Sequence, residues 1–193
     1  MRKHVKLAIF TGLSLVLATS SFAFAVDQAL YQKAKDHKGG DVSPLQAVEM
    51  VKKDTAHTFL VDIRTQYEYQ DLGHPNVAYN IPYKFYTNKA DEKGYKSVVN
   101  GNFCQELKAR FNPANDTLIL FCRSGHRSID GTTAAVDCGF QKSFNMMGGF
   151  EGDKVKDKNS PDFGKRVQNG WRAEKLDWTY DMDKNLMYQP DLK

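Results

Sequence analysis

Apolar positions along the chain follow two periods, and the places where the period changes mark out the elements. Thr117 to Phe121 (TLILF) is an unbroken apolar, β-favouring run after the turn signal Asn112-Pro113-Ala114-Asn115-Asp116. Burial on both faces is what the centre of a parallel sheet requires, so a central strand is predicted here. Beyond it, Ser128 to Cys138 carries Ala and Val at helical spacing and stops at Gly139, which makes Ser128 the expected N-cap and Gly139 the C-cap. Upstream, Thr58 to Val61 reads as a second strand with Asp62 at its end. Ser43-Pro44 opens a helix with Leu45, Val48 and Val51 on one face, and Phe103 to Phe111 is an amphipathic helix.

Other stretches lack a period. Tyr83 to Asn102 is rich in Tyr, Lys and Gly and reads as an inserted loop; Glu151 to Gly170 is a charged insertion with Ser160-Pro161 as a turn. Ala29 to Asp36 is a short helix candidate, followed by Lys38-Gly39-Gly40-Asp41 as a linker. From Trp171 to Tyr188 the chain is aromatic, a tail expected to pack back on the domain because exposed Trp is unfavourable in a monomer.

Met1 to Ala25 changes the reading of the charge. Arg2, Lys3 and Lys6 make a positive start, Leu7 to Ala18 an apolar core, and Ala23-Phe24-Ala25 a small-x-small cleavage site. The core is too short for a comfortable membrane span, so the expectation is an export signal and a mature protein in the periplasm or beyond. Losing those three basic residues, with no acidic ones, takes the formal charge from +4 to +1. The basicity therefore offers no argument for nucleic-acid or membrane-surface partners. The remaining length suits one domain with extensions.

The candidate chemistry lies in Phe121 to Ser128 (FCRSGHRS), which places Cys122 between the central strand and the helix after it. In such a crevice the loop N–H groups and the positive end of the helix dipole converge on one point. Arg123 and Arg127 add positive charge, so the point suits an anion, first of all the thiolate of Cys122. A lone cysteine at a strand end more often serves as a small hydrophobe; two arginines and a glycine beside it favour a reactive one. His126 reads as a solvent-facing loop residue at the mouth. No second ligand pair with zinc-like spacing accompanies Cys122 and His126, so no metal is expected. The chain has 3 cysteines, which allows one disulfide and leaves one thiol. Cys104 with Cys138 is the pairing that would leave Cys122 free, but two buried free thiols is the default expectation.

CRSGHR resembles the six-residue active loop of rhodanese sulfurtransferases. Val61 to Pro82 (VDIRTQYEYQDLGHPNVAYNIP) resembles that family's upstream signature, with Asp62, Arg64, Glu68, Gly73, His74, Asn80, Ile81 and Pro82 at its positions; Gly139 to Phe150 resembles the segment running through the last strand to a Gly-Gly turn. The likeness covers roughly Ser43 to Phe150. It departs from the family pattern at Pro75-Asn76-Val77, and no tryptophan closely follows Gly149, a role that Trp171 is expected to take over.

The resemblance implies a three-layer α/β/α sandwich around a parallel sheet for the domain at residues 43–150; the residue patterns add 1–25 as signal peptide, 26–42 as helix and linker and 151–193 as a packed extension. The resemblance also implies transfer of sulfane sulfur through a persulfide on Cys122, without a cofactor. Arg123, Ser124, Gly125, His126 and Arg127 would bind a small sulfur-containing anion, and Asp62, Arg64 and Ser128 would support the site. Glu68 and His74 read as structural. A redox or sulfur-relay protein is a further expected partner. Two alternatives stay open: a cysteine-dependent phosphatase or arsenate reductase, whose Cys-x5-Arg pattern would need arginine where this chain has Ser128, and a sulfur carrier without turnover.

Overall fold

The computed structural model describes Tyr31 and residues 36–190. The leader, and the Ala29–Asp36 helix candidate apart from Tyr31 and Asp36, lie outside the described residues. The elements run β1 (Gly40–Val42), α1 (Pro44–Lys53), β2 (Thr58–Asp62), α2 (Gln66–Leu72), β3 (Tyr79–Asn80), β4 (Lys84–Asp91), β5 (Gly94–Val99), α3 (Phe103–Arg110), β6 (Thr117–Phe121), α4 (His126–Asp137), β7 (Ser143–Met146), β8 (Asp153–Lys154) and β9 (Arg166–Gln168). Strands β1, β7, β6, β2 and β3 form one sheet in that order, and every pairing in it is parallel.

β6 is apolar throughout because both its faces are covered. Leu118, Leu120 and Cys122 join a core with Phe103 and Leu107 of α3 and Ala135 of α4; Ile119 and Phe121 join the opposite core with Ala47 of α1, Phe150 and Trp171. The result is a three-layer α/β/α sandwich, as expected. Trp171 seals the α1 side, its N–H donating to the Gly149 carbonyl at 2.8 Å.

Several expectations need correction. The end of the segment expected as linker enters the sheet as β1 (Gly40–Val42). Gly39 and Gly40 allow this, since a Cβ on either would lie 2.6 Å from Ser143 O or the Phe144 ring. α1 starts at a Ser43–Gln46 capping box and packs through Ala47, Val48 and Val51, but leaves Leu45 exposed. Tyr83 to Asn102 is largely the antiparallel hairpin β4–β5, not an irregular loop. Most of its residues are exposed, so burial imposes no alternation of the kind that reveals a strand.

Cys104 and Cys138 are disulfide-bonded, with Cα atoms 5.4 Å apart and a sequence separation of 34. Two free thiols was therefore the wrong default: α3 packs beside α4, so the start of one helix meets the end of the other. Closing a loop of this length stabilises the fold by about 3–4 kcal/mol in the chain-entropy account.

The aromatic tail packs back along the sheet edge. Thr179 pairs with His74 through reciprocal backbone bonds of 2.9 and 2.8 Å, Leu186 O accepts from Asn80 N at 2.8 Å, and Arg110 donates to the carbonyls of Asn185 and Met187.

Candidate active site

Cys122 is 1% exposed and follows directly on β6. The chain then turns through Arg123, Ser124 and Gly125 into α4. Gly125 holds φ +86 and is the helix N-cap; a Cβ there would sit 3.0 Å from the backbone N of Gly148. This corrects the expected start at Ser128: the left-handed glycine begins the helix earlier and points its first turn at Cys122. His126 is accordingly the first helical residue, exposed, instead of a loop residue. Ser128 lies one turn in, its hydroxyl 3.5 Å from Cys122 Sγ and 3.1 Å from the Gly125 carbonyl.

The loop is held from behind by the Gly148-Gly149 turn. Phe150 N and Glu151 N donate to the carbonyls of Cys122 and Arg123 at 2.8 and 2.9 Å, and a Cβ on Gly149 would lie 2.4 Å from Cys122 O. With the carbonyls tied back, the N–H groups of Arg123, Ser124 and Gly125 donate to no acceptor among the described residues. They form, with the first turn of α4, a set of free donors in the loop that follows Cys122.

Asp62 and Arg64 lie beneath this loop. Asp62 is in register with Phe121, and Ile63 N donates to Phe121 O at 3.0 Å. Both charged residues are fully buried, and Arg64 Nε donates to Asp62 Oδ1 and Oδ2 at 2.9 and 3.0 Å. Arg64 also reaches the Gly73 carbonyl at 2.7 Å and stacks its guanidinium 4.4 Å from the Phe150 ring. The pair thereby links β2, the end of α2 and the residue after the Gly-Gly turn. Next to it His74 lies flat on Tyr69, ring centroids 3.6 Å apart; burial pushes the His74 imidazole below its ordinary range despite the Pro75 carbonyl, and burial pushes the Tyr69 hydroxyl up.

The loop arginines are not bare charges. Arg127 Nη1 and Nη2 grip Glu68 Oε2 and Oε1 at 2.8 and 2.5 Å, and Arg123 Nε donates to Glu151 Oε2 at 3.0 Å. Burial alone would raise the Glu68 carboxyl, but Arg127 and the Thr65 N–H hold it below its ordinary range; Glu68 in turn raises Arg127 against its own burial. Glu68 also closes the Thr65 capping box of α2. Sequence reasoning left Glu68 as structural and did not see Glu151 at the site. The Thr-x-x-Glu spacing was a legible signal for the cap; nothing local signalled the partner 59 residues away.

Strand, cysteine loop and helix define a protein with a cysteine-bearing α/β crevice. The chain belongs to the family whose model is described as Rhodanese-like domain, which matches residues 43–156. It is 36% identical over 120 residues to Thiosulfate sulfurtransferase 18 of Arabidopsis thaliana, covering 61% of this chain and 79% of that protein. It is 30% identical over 125 residues to the uncharacterized protein RP600 of Rickettsia prowazekii, covering 64% and 85%. The crystal structure of Rv0390 from M. tuberculosis superposes with a TM-score of 0.58 at 31% identity, covering 75% of this chain and 99% of that one.

Proposed function

We propose that this chain moves sulfane sulfur from a small donor to a thiophilic acceptor through a persulfide on Cys122. The set of unpaired loop N–H groups beside a buried sulfur carries the reading. The thiolate would attack the outer sulfur of a donor such as thiosulfate; a Cys122 S–S bond forms, the donor's S–S bond breaks, and sulfite leaves with the electron pair. The persulfide keeps the negative charge, which the loop N–H groups and the Ser128 hydroxyl stabilise. An acceptor thiolate, from a small molecule or a sulfur-relay protein, then takes the outer sulfur and restores the Cys122 thiolate. At 1% exposure Cys122 is reachable by a slender terminal atom, which suits a sulfur at the end of a chain. The Arg127 position also departs from the Cys-x5-Arg spacing that phosphoryl transfer would use.

Mass spectrometry after exposure to thiosulfate or polysulfide tests this directly. The expected result is one added sulfur on Cys122, absent from Cys122→Ser, with sulfur transfer abolished in that variant and its fold intact. Turnover surviving the substitution overturns the assignment.

The reading includes export and removal of Met1 to Ala25, supported by the leader pattern and by the Cys104–Cys138 disulfide, a bond suited to an oxidising compartment. The mature protein would then act without nucleic-acid or membrane partners. Protein from the native host should begin at Val26; a retained Met1 would overturn this part.

A further inference from the structure

The segment beyond the matched domain sends a side chain to the carboxylate that holds Arg123, the residue after Cys122. Arg166, on β9, donates from Nη1 to the Gly152 carbonyl at 2.7 Å and places Nε 4.0 Å from Glu151 Oε2. That oxygen already accepts from Arg123 Nε at 3.0 Å. Glu151 is fixed in turn, its N–H donating to the Arg123 carbonyl at 2.9 Å. One carboxylate thus serves two guanidiniums and leaves a positive excess beside the nucleophile. Arg166 Nε and Glu151 Oε1 are buried with no hydrogen-bond partner among the described residues. A buried donor of this kind is costly to leave unpaired, so an incoming acceptor gains by binding it. The Arg123 side chain, 49% exposed, gives the cluster an opening to solvent.

We propose that Arg166 and Arg123 form an anion-recognition patch at the mouth of the site, with Glu151 as the competing carboxylate that sets its strength. The two guanidiniums take the charged end of an anionic donor. Glu151 must yield part of its hold when they do, and so limits how strongly anions are preferred over uncharged reagents. The identity of that anion as a sulfur donor rests on the sulfurtransferase reading; the electrostatics of the mouth do not.

Alkylation of Cys122 separates the two. Iodoacetate and iodoacetamide differ in charge but attack the same sulfur, so the ratio of their rates cancels changes in the nucleophile itself, and the disulfide keeps Cys104 and Cys138 unreactive. In the mature oxidised protein at low salt, Arg166→Gln should lower the iodoacetate-to-iodoacetamide ratio by about three- to ten-fold and Glu151→Gln should raise it by a similar factor, both effects shrinking at high salt. Arg166→Lys should stay close to wild type. An unchanged ratio in Arg166→Gln, or in Glu151→Gln should the first variant fold poorly, overturns the patch. Persulfide formation on wild-type Cys122 is measured alongside: no added sulfur with a shifted ratio sinks the sulfurtransferase reading and supports the patch, whereas added sulfur with an unshifted ratio sinks the patch alone.

Discussion

Of the arginine–carboxylate pairs around the cysteine loop, Asp62–Arg64 and Glu68–Arg127 differ mainly in depth. Asp62–Arg64 is two residues apart in sequence and wholly enclosed; Glu68–Arg127 joins α2 to α4 and keeps the Arg127 side chain 25% exposed. The enclosed pair has no water to fall back on, so each partner depends on the other, and the hydrogen bonds from Arg64 to Gly73 and from Asn80 to the carbonyls of Asp62 and Arg64 make it a structural node. The outer pair keeps part of each side chain in contact with water. Depth thus separates a charge that builds the site from one that can serve it.

The sharpest way to break this contrast is to remove one arginine from each pair. Arg64→Ala leaves Asp62 buried and unpaired and should cost about 3–5 kcal/mol in urea denaturation. Arg127→Ala should cost about 1–2 kcal/mol, because its partner can hydrate. Equal losses would erase the distinction.

A gentler change frees the outer arginine without deleting it. Glu68→Gln keeps an N3 residue able to close the Thr65 capping box but releases Arg127 from its counter-charge. The thiosulfate KM should then fall by roughly three- to ten-fold, measured by steady-state kinetics, with a smaller change for an uncharged donor. A KM that rises instead would mean that Arg127 must be held by Glu68 to be useful.

Acid provides the smallest effect. Glu68 is held below its ordinary 4.5, so its contribution is present above that pH and is lost as pH falls through the lower folded value. Buried His74 is held below its ordinary 6.5, so stability is also lost as pH falls from there through its own folded value. Urea midpoints across pH should show both losses in the wild type, and Glu68→Gln should remove only the more acidic one.

The same difference in depth explains what the sequence revealed. Asp62, Arg64 and Cys122 sit on or next to strands whose apolar runs are dictated by burial, so local pattern located them. The β6–loop–α4 unit was likewise legible, apart from the start of its helix, which Gly125 sets through a backbone angle that no side-chain pattern announces. The partners of Arg123 and Arg127 were not legible. Glu151 reaches Arg123 after the Gly148-Gly149 turn, and Arg127 reaches across from α4 to Glu68 on α2, contacts that only the assembled fold creates. The β4–β5 hairpin was missed for the opposite reason: with little of it buried, nothing forced its residues to alternate.

The disulfide has one more consequence. Cys104 and Cys138 close a covalent ring that contains β6, the cysteine loop and all of α4, so Cys122 lies inside a closed circuit. Pulled by its ends, the oxidised chain would bypass that ring and conceal a contour length of roughly 110–120 Å, at about 3.3–3.6 Å per residue. A protease cut at any single bond between residues 104 and 138 would release no fragment until the disulfide was reduced, so a nicked molecule would run as one band without reductant and as two with it.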